Sequence, residues 1–211
     1  MEKLLLHLRQ IKSEGERLLT VGERFKPWRS LLHLTAGVAS VLILLISKNG
    51  VIAALGSALS LALLFEAIRL RNERANRWFT LRFRMLVREE EEGKVAGHVY
   101  FLIGALATAI IFRREIAATA ILFLAVGDVA GVAAGSILGE LRLWRGKTVE
   151  GVIACFVSCL IIGLVPTSFW GVDFKRVVIG AAVAALAELA PIPPDDNLTI
   201  PLLSGAAMTL I

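Results

Sequence analysis

Apolar residues gather in seven blocks along the chain, at residues 28–46, 51–68, 95–112, 116–139, 151–165, 177–190 and 198–211. Blocks of this kind, rather than an even spread of apolar positions, are the pattern of helices whose solvent is a bilayer. The breaks between them differ in kind. Lys48-Asn49-Gly50 and Arg113-Arg114-Glu115 read as tight turns. Residues 1–27 and 69–94 are charged but carry apolar side chains near helical spacing. Leu4, Leu8, Ile11, Leu18 and Leu19 do so in the first, and Trp78, Phe79, Phe83, Leu86 and Val87 in the second. Both read as amphipathic helices lying in the membrane interface. The expected fold class is all-α: a polytopic transmembrane helix bundle of about seven spans. It divides into an N-terminal interfacial segment, 1–27, and a transmembrane domain, 28–211.

Composition and charge sharpen this picture. Hydrophobic residues make up 56% of the 211 and charged residues 19%, against about 45–50% and 25% in soluble domains. Small residues crowd the apolar blocks, as close helix packing in lipid favours. The charged start leads into a true span with no small-residue cleavage site, so no secretory leader is expected. The net charge of +5 does not call for a nucleic-acid partner, because lysines and arginines flanking membrane spans account for it. Residues 1–29, 69–94 and 140–150 hold eighteen of the 23 Lys and Arg. Lys48, Arg113, Arg114, Lys175 and Arg176 hold the other side. This asymmetry predicts an N-in, C-out chain with its charged segments on the cytosolic face of the cell membrane.

The last three blocks are short. Fourteen helical residues reach only about 21 Å, against a hydrocarbon thickness of roughly 30 Å. Backbone that ends at membrane depth is tolerated where it is buried or lines a cavity. A cavity open to the cytosol is therefore expected.

Several residues are costly in such surroundings. Asp128 lies in the middle of the fourth block, where a carboxylate costs roughly 2.5–3.5 kcal/mol on insertion scales, so a functional role is the default. Gly127, Gly131, Gly135 and Gly139 recur every fourth residue beside it, a seam for close helix approach. Glu66 and Glu188 sit near the inner ends of their spans, where either could pair or snorkel. Arg29, His33 and Gly37 share one face of the first span, which makes phosphate contact conceivable. Glu89, Glu90, Glu91 and Glu92 form an acidic run suited to a solvated face. Cys155 and Cys159, the two cysteines, read as small apolar packing residues. In Gly146-Lys147-Thr148-x-Glu150-Gly151, a lysine can meet phosphates, and a hydroxyl and a carboxylate can hold Mg2+. It is not a Walker A loop, because the glycine spacing is wrong and no strand precedes it. Asp195-Asp196-Asn197 can cap the last helix or offer carboxylates to a divalent metal.

Taken in order, these pieces resemble the dolichol kinase, phytol kinase and CTP-dependent diacylglycerol kinase family. The matching stretches are Trp28-Arg29-x3-His33-x3-Gly37, Glu90-x-Glu92 running into Gly97-x2-Tyr100, and Gly127-Asp128-x2-Gly131. Gly146-Lys147-Thr148-x-Glu150-Gly151 and Asp195-Asp196-Asn197-Leu198-Thr199-x-Pro201 complete the set. The resemblance implies transfer of the γ-phosphate of CTP to a lipid alcohol. The Lys-Thr-x-Glu-Gly form is similar to the polyprenol (dolichol) branch, and the chain length to the minimal prokaryotic form. On this reading Asp128, Asp195 and Asp196 hold Mg2+ and Lys147 meets phosphate oxygens. Glu150 or Glu188 is the base, while Arg29, His33, Thr148 and Asn197 steady the nucleotide or the new lipid phosphate. The expected partners are CTP, a lipid alcohol and membrane lipids. Phytol or diacylglycerol phosphorylation are alternatives within the family. Phosphatidate cytidylyl transfer is another, although its usual Pro-Gly-His-Gly-Gly stretch is absent. A small ion-coupled transporter would also use recessed carboxylates, but no internal repeat is present.

Overall fold

A computed structural model describes residues 27–83, 93–143, 146–190 and 193–211. The interfacial segment expected over 1–27 and the acidic run 89–92 thus lie outside the described residues, apart from Pro27. Among the described residues the chain is all helix with no named strand. The elements are α1 (Pro27–Ile46), α2 (Lys48–Arg71), α3 (Glu73–Arg82), α4 (Gly97–Ile111) and α5 (Arg114–Leu122). A π-helical segment (Phe123–Asp128) continues α5 into α6 (Val129–Ile137), and α7 (Val149–Trp170), α8 (Phe174–Leu189) and α9 (Asp196–Thr209) follow.

A helix falls on each apolar block, and four are long and apolar enough to cross a membrane: α1, α2, the continuous α5–π–α6 rod, and α7. α4 is a shorter apolar helix, and α8 and α9 have 16 and 14 residues. Two boundaries differ from the sequence reading. Lys48-Asn49-Gly50 is not a turn, because the Ser47 hydroxyl accepts from the Gly50 N–H and caps a new helix at once. The fifth block is not short. α7 runs through Pro166 for 22 residues and ends on Gly171, whose φ of 65° is the left-handed closure that glycine permits.

The α5–π–α6 rod is the axis of the molecule. Its apolar window is 72% buried, whereas those of α1, α2 and α7 are between 17% and 28% buried. Leu61 and Leu64 on α2 and Ile161 and Phe169 on α7 instead point outward. So much exposed aliphatic surface is untenable in water and ordinary in lipid. At one end of the bundle Lys48 Nζ donates to the carbonyl of Phe112 at 2.7 Å, and Arg114 reaches the carbonyl of Ile46 at 3.2 Å. The polar residues singled out by the sequence collect away from that end.

α3 is the described helical part of the charged connector 69–94. Phe79 is buried against Phe65 and Phe83, while Trp78 and Leu81 are exposed beside Arg74 and Arg77. It is held by a buried ion pair. Arg69 at the end of α2 donates through Nε and Nη2 to Glu66 at 3.0 and 2.7 Å, and through Nη1 to Asn76 at 2.6 Å. It also donates to the carbonyl of Lys94, and Glu66 Oε2 accepts from the Ala96 N–H at 3.3 Å.

Candidate functional site

Asp128 owes its position to the π segment. A π turn holds one extra residue, so it rotates everything beyond it relative to a continuous α-helix, and such turns recur at functional sites. Small residues let neighbours close on this segment. A Cβ on Gly37 of α1 would collide with Ala125, and one on Gly127 would lie 2.6 Å from the Cys159 sulfur. Cys155 and Cys159 are unbridged and fully buried there as packing groups.

Further along, the glycine seam brings α6 onto the start of α7. A Cβ on Gly151 would stand 2.8 Å from the Gly131 carbonyl oxygen, and one on Gly135 would stand 2.9 Å from Thr148 Oγ1. The chain before α7 is pinned just as firmly. Leu143 N–H donates to the Lys147 carbonyl at 2.7 Å and Val149 N–H to the Leu141 carbonyl at 3.0 Å. Thr148 Oγ1 accepts from the Gly151 N–H at 3.2 Å and caps the helix. Gly146, with φ of 79°, supplies the left-handed residue just before the lysine.

Lys147 thereby enters a cluster of acids. Its Nζ lies 2.5 Å from Glu188 Oε1, at the end of α8, and 3.1 Å from Asp196 Oδ2, at the start of α9. α9 reaches this place because α4 lets it: a Cβ on Gly104 would collide with the Asn197 carbonyl and Leu198. Asp128, Glu188 and Asp196 each offer one carboxylate oxygen, and those oxygens lie within 4.8 Å of one another. All three residues are buried. Two unit charges at that separation repel by roughly 3 kcal/mol at an effective dielectric near 20. Burial opposes the charge of Lys147, but Glu188, Asp196 and Asp128 outweigh it and hold its pKa above the ordinary lysine value.

The orphaned atoms are informative. Glu188 Oε2 and Asp128 Oδ1 are buried with no hydrogen-bond partner, a costly arrangement unless a ligand completes it. Three converging carboxylates with spare oxygens fit a hard divalent cation, which takes oxygen donors.

The other sequence candidates take more varied positions. His33 joins the cluster's edge, with Nδ1 3.8 Å from Asp128 Oδ2 and its ring 4.9 Å from that of Phe101. Arg29, one turn earlier on α1, is half-buried. Glu150 does not join: its Oε1 accepts from the Leu141 N–H at 3.3 Å and closes the loop. Asp195 caps α9, its Oδ1 accepting from the Asn197 backbone at 2.9 Å and from Asn197 Nδ2 at 2.6 Å. Burial, then the charge of Asp196, pushes the Asp195 carboxyl up to about 6. Asn197 is buried with its Oδ1 unpartnered. Sequence reasoning missed the π segment and the Gly104 contact. It placed Glu188 in the site as a candidate base, and did not group it with the carboxylates that could hold a metal, where it stands with Asp128 and Asp196.

No family model matches the chain, and no solved structure matches it. An uncharacterized protein of Rickettsia prowazekii is 24% identical over 185 residues, covering 84% of this chain and 90% of that protein. A CTP-dependent diacylglycerol kinase of Eremothecium gossypii is 28% identical over 173 residues, covering 71% of this chain and 55% of the kinase. An uncharacterized protein of Methanocaldococcus jannaschii is 40% identical over 119 residues, covering 54% of this chain and 57% of that protein. The chain therefore spans a little over half the length of the last two relatives. It has the helices of a membrane protein and a distant likeness to a lipid kinase.

Proposed function

We propose that this protein is a CTP-dependent lipid-alcohol kinase that transfers the γ-phosphate of CTP to a membrane isoprenoid alcohol of the polyprenol or dolichol type. The observation that carries this reading is the convergence of Asp128, Glu188, Asp196 and Lys147. Phosphoryl transfer asks mainly for charge neutralisation and in-line positioning, and such a group of residues offers both. The likeness to the Eremothecium gossypii kinase supports CTP as donor, and the Lys-Thr-x-Glu-Gly stretch supports the isoprenoid branch. Diacylglycerol is the second acceptor to consider, because that is what the relative's name specifies.

In this reading Asp128, Glu188 and Asp196 hold Mg2+, with Glu188 in the place the sequence gave to Asp195. When bound, Mg2+ would supply positive charge against the phosphate oxygens as they leave CTP. Lys147 binds the triphosphate, and Arg29 steadies the nucleotide or the product phosphate. His33 beside Asp128 is the group available to accept the hydroxyl proton, of which a loose transition state asks little. Glu150 and Thr148 hold the loop that carries Lys147. The chain crosses the cell membrane seven times from an inner N-terminus. The lipid enters laterally, and the nucleotide enters from the cytosol.

A thermal-shift measurement tests the nucleotide half of this reading, since a ligand that binds the folded state raises its apparent stability. CTP with Mg2+ should raise the Tm of the purified protein in detergent more than ATP with Mg2+ does. An unchanged Tm with saturating CTP and Mg2+ would favour the transporter.

A further inference from the structure

We infer that the carboxylate cluster accepts its divalent cation only as a metal–nucleotide chelate, because Lys147 is the cluster's built-in counter-cation and gives up its place only for phosphate. The inference rests on the kinase reading and goes beyond it, to the form in which the site takes its ligand. Lys147 Nζ sits 2.5 Å from Glu188 Oε1 and 3.1 Å from Asp196 Oδ2. Hard cations stand about 2.0–2.6 Å from their oxygen ligands, so the ammonium occupies the position a metal would take on two of the three carboxylates. The donors left over are the buried, unpartnered Glu188 Oε2 and Asp128 Oδ1. A free dication would have to compete with an ammonium already paired to Glu188 and Asp196, and it brings no anion to take that ammonium over.

A triphosphate changes this balance from the other side. Without a metal it meets three carboxylates offset by one ammonium, a net negative site that repels it. Arriving as a chelate, it brings the cation to the carboxylates and oxygens to the lysine in a single event. Little backbone has to move. Residues 141–143 and 147–149 are tied by two backbone hydrogen bonds, and Thr148 caps α7. The exchange needs only the flexible four-carbon stem of Lys147 to swing from carboxylate to phosphate.

Mn2+ retained with the protein on ultrafiltration in detergent, measured against a protein-free control because CTP alone chelates Mn2+, tests this without turnover or lipid. Three proteins are compared: wild type, Lys147→Met and Lys147→Arg. Wild type and Lys147→Arg should bind Mn2+ weakly alone and well with CTP. Lys147→Met should bind Mn2+ alone on the order of tenfold tighter than wild type, about 1.4 kcal/mol. If Lys147→Met does not fold, wild type and Lys147→Arg carry the test through the same contrast with and without CTP. Tight binding of Mn2+ alone by wild type overturns the inference and leaves the kinase reading standing. Wild type that takes up no Mn2+ with any nucleotide, while Lys147→Met binds the free ion, overturns the chelate and the kinase reading together.

Discussion

Among the described residues, two groups of buried charges stand out, and their bookkeeping is opposite. Glu66 and Arg69 form a closed set. Both carboxylate oxygens are used, and the guanidinium reaches Glu66, Asn76 and the Lys94 carbonyl. The ring of Phe79 lies 5.4 Å from the guanidinium carbon. Every charge meets its opposite, and the result ties α2 and α3 to the chain entering α4. The second group has three carboxylates to one lysine and leaves two buried oxygens bare. A protein that can satisfy one buried ion pair so fully has no structural reason to leave the other short of positive charge. The difference separates a charge group that holds the fold from one that awaits a ligand.

The largest expected effect lies in the open group. Asp128→Asn should lower turnover by about a thousandfold, yet Tm should stay level or rise, because a mutual repulsion is relieved. A Tm drop matching the activity loss would make Asp128 structural. Next comes the closed group. Arg69→Ala should cost about 3–5 kcal/mol of stability by leaving Glu66 buried and alone. Replacing both partners, as Glu66→Gln with Arg69→Met, should cost clearly less in the same unfolding measurement.

Between the two stands the seam that assembles the open group. Gly151→Ala puts a methyl group 2.8 Å from the Gly131 carbonyl, and backbone has to give way. A loss of about 1–3 kcal/mol in Tm-based stability is expected, together with a loss of turnover. His33→Gln, which keeps most of the buried volume, should lower kcat about a hundredfold, as loss of a group that accepts the substrate proton does, with little change in Tm. The smallest effect belongs to Asp195→Asn, since asparagine caps a helix about as well as aspartate. Near wild-type kinetics are expected there, whereas a collapse in activity would return Asp195 to the metal.

The contrast between Asp195 and Asp196 also marks the limit of what the chain spells out. Adjacent aspartates before a helix look equivalent in sequence. In space Asp195 is extended, with φ of −162°, and its side chain turns back onto the Asn197 N–H. Asp196 is the first helical residue and lies buried. Asp128 was legible because a carboxylate inside an apolar run has few innocent explanations. The helices were legible as apolar blocks for the same reason. Nothing in Phe123-Leu124-Ala125-Val126-Gly127-Asp128 announces an extra residue in the turn, since a π segment depends on the packing around it. The end of the fifth block at residue 165 erred in the other direction, because Pro166 follows it. A proline commonly stops a helix, but this helix continues for another turn to Trp170. Glu188 carried a weak signal alone, and its meaning came only from Lys147, 41 residues earlier.

Transfer of label from γ-labelled CTP to a lipid alcohol, by the purified protein in liposomes with Mg2+, tests the central claim most directly. The acceptors to offer are a polyprenol, dolichol, phytol and diacylglycerol. The account predicts a labelled lipid monophosphate, strongest with an isoprenoid alcohol and absent with Asp128→Asn. Release of pyrophosphate from CTP with phosphatidate, and no labelled lipid from any alcohol, would contradict it and make the protein a cytidylyltransferase.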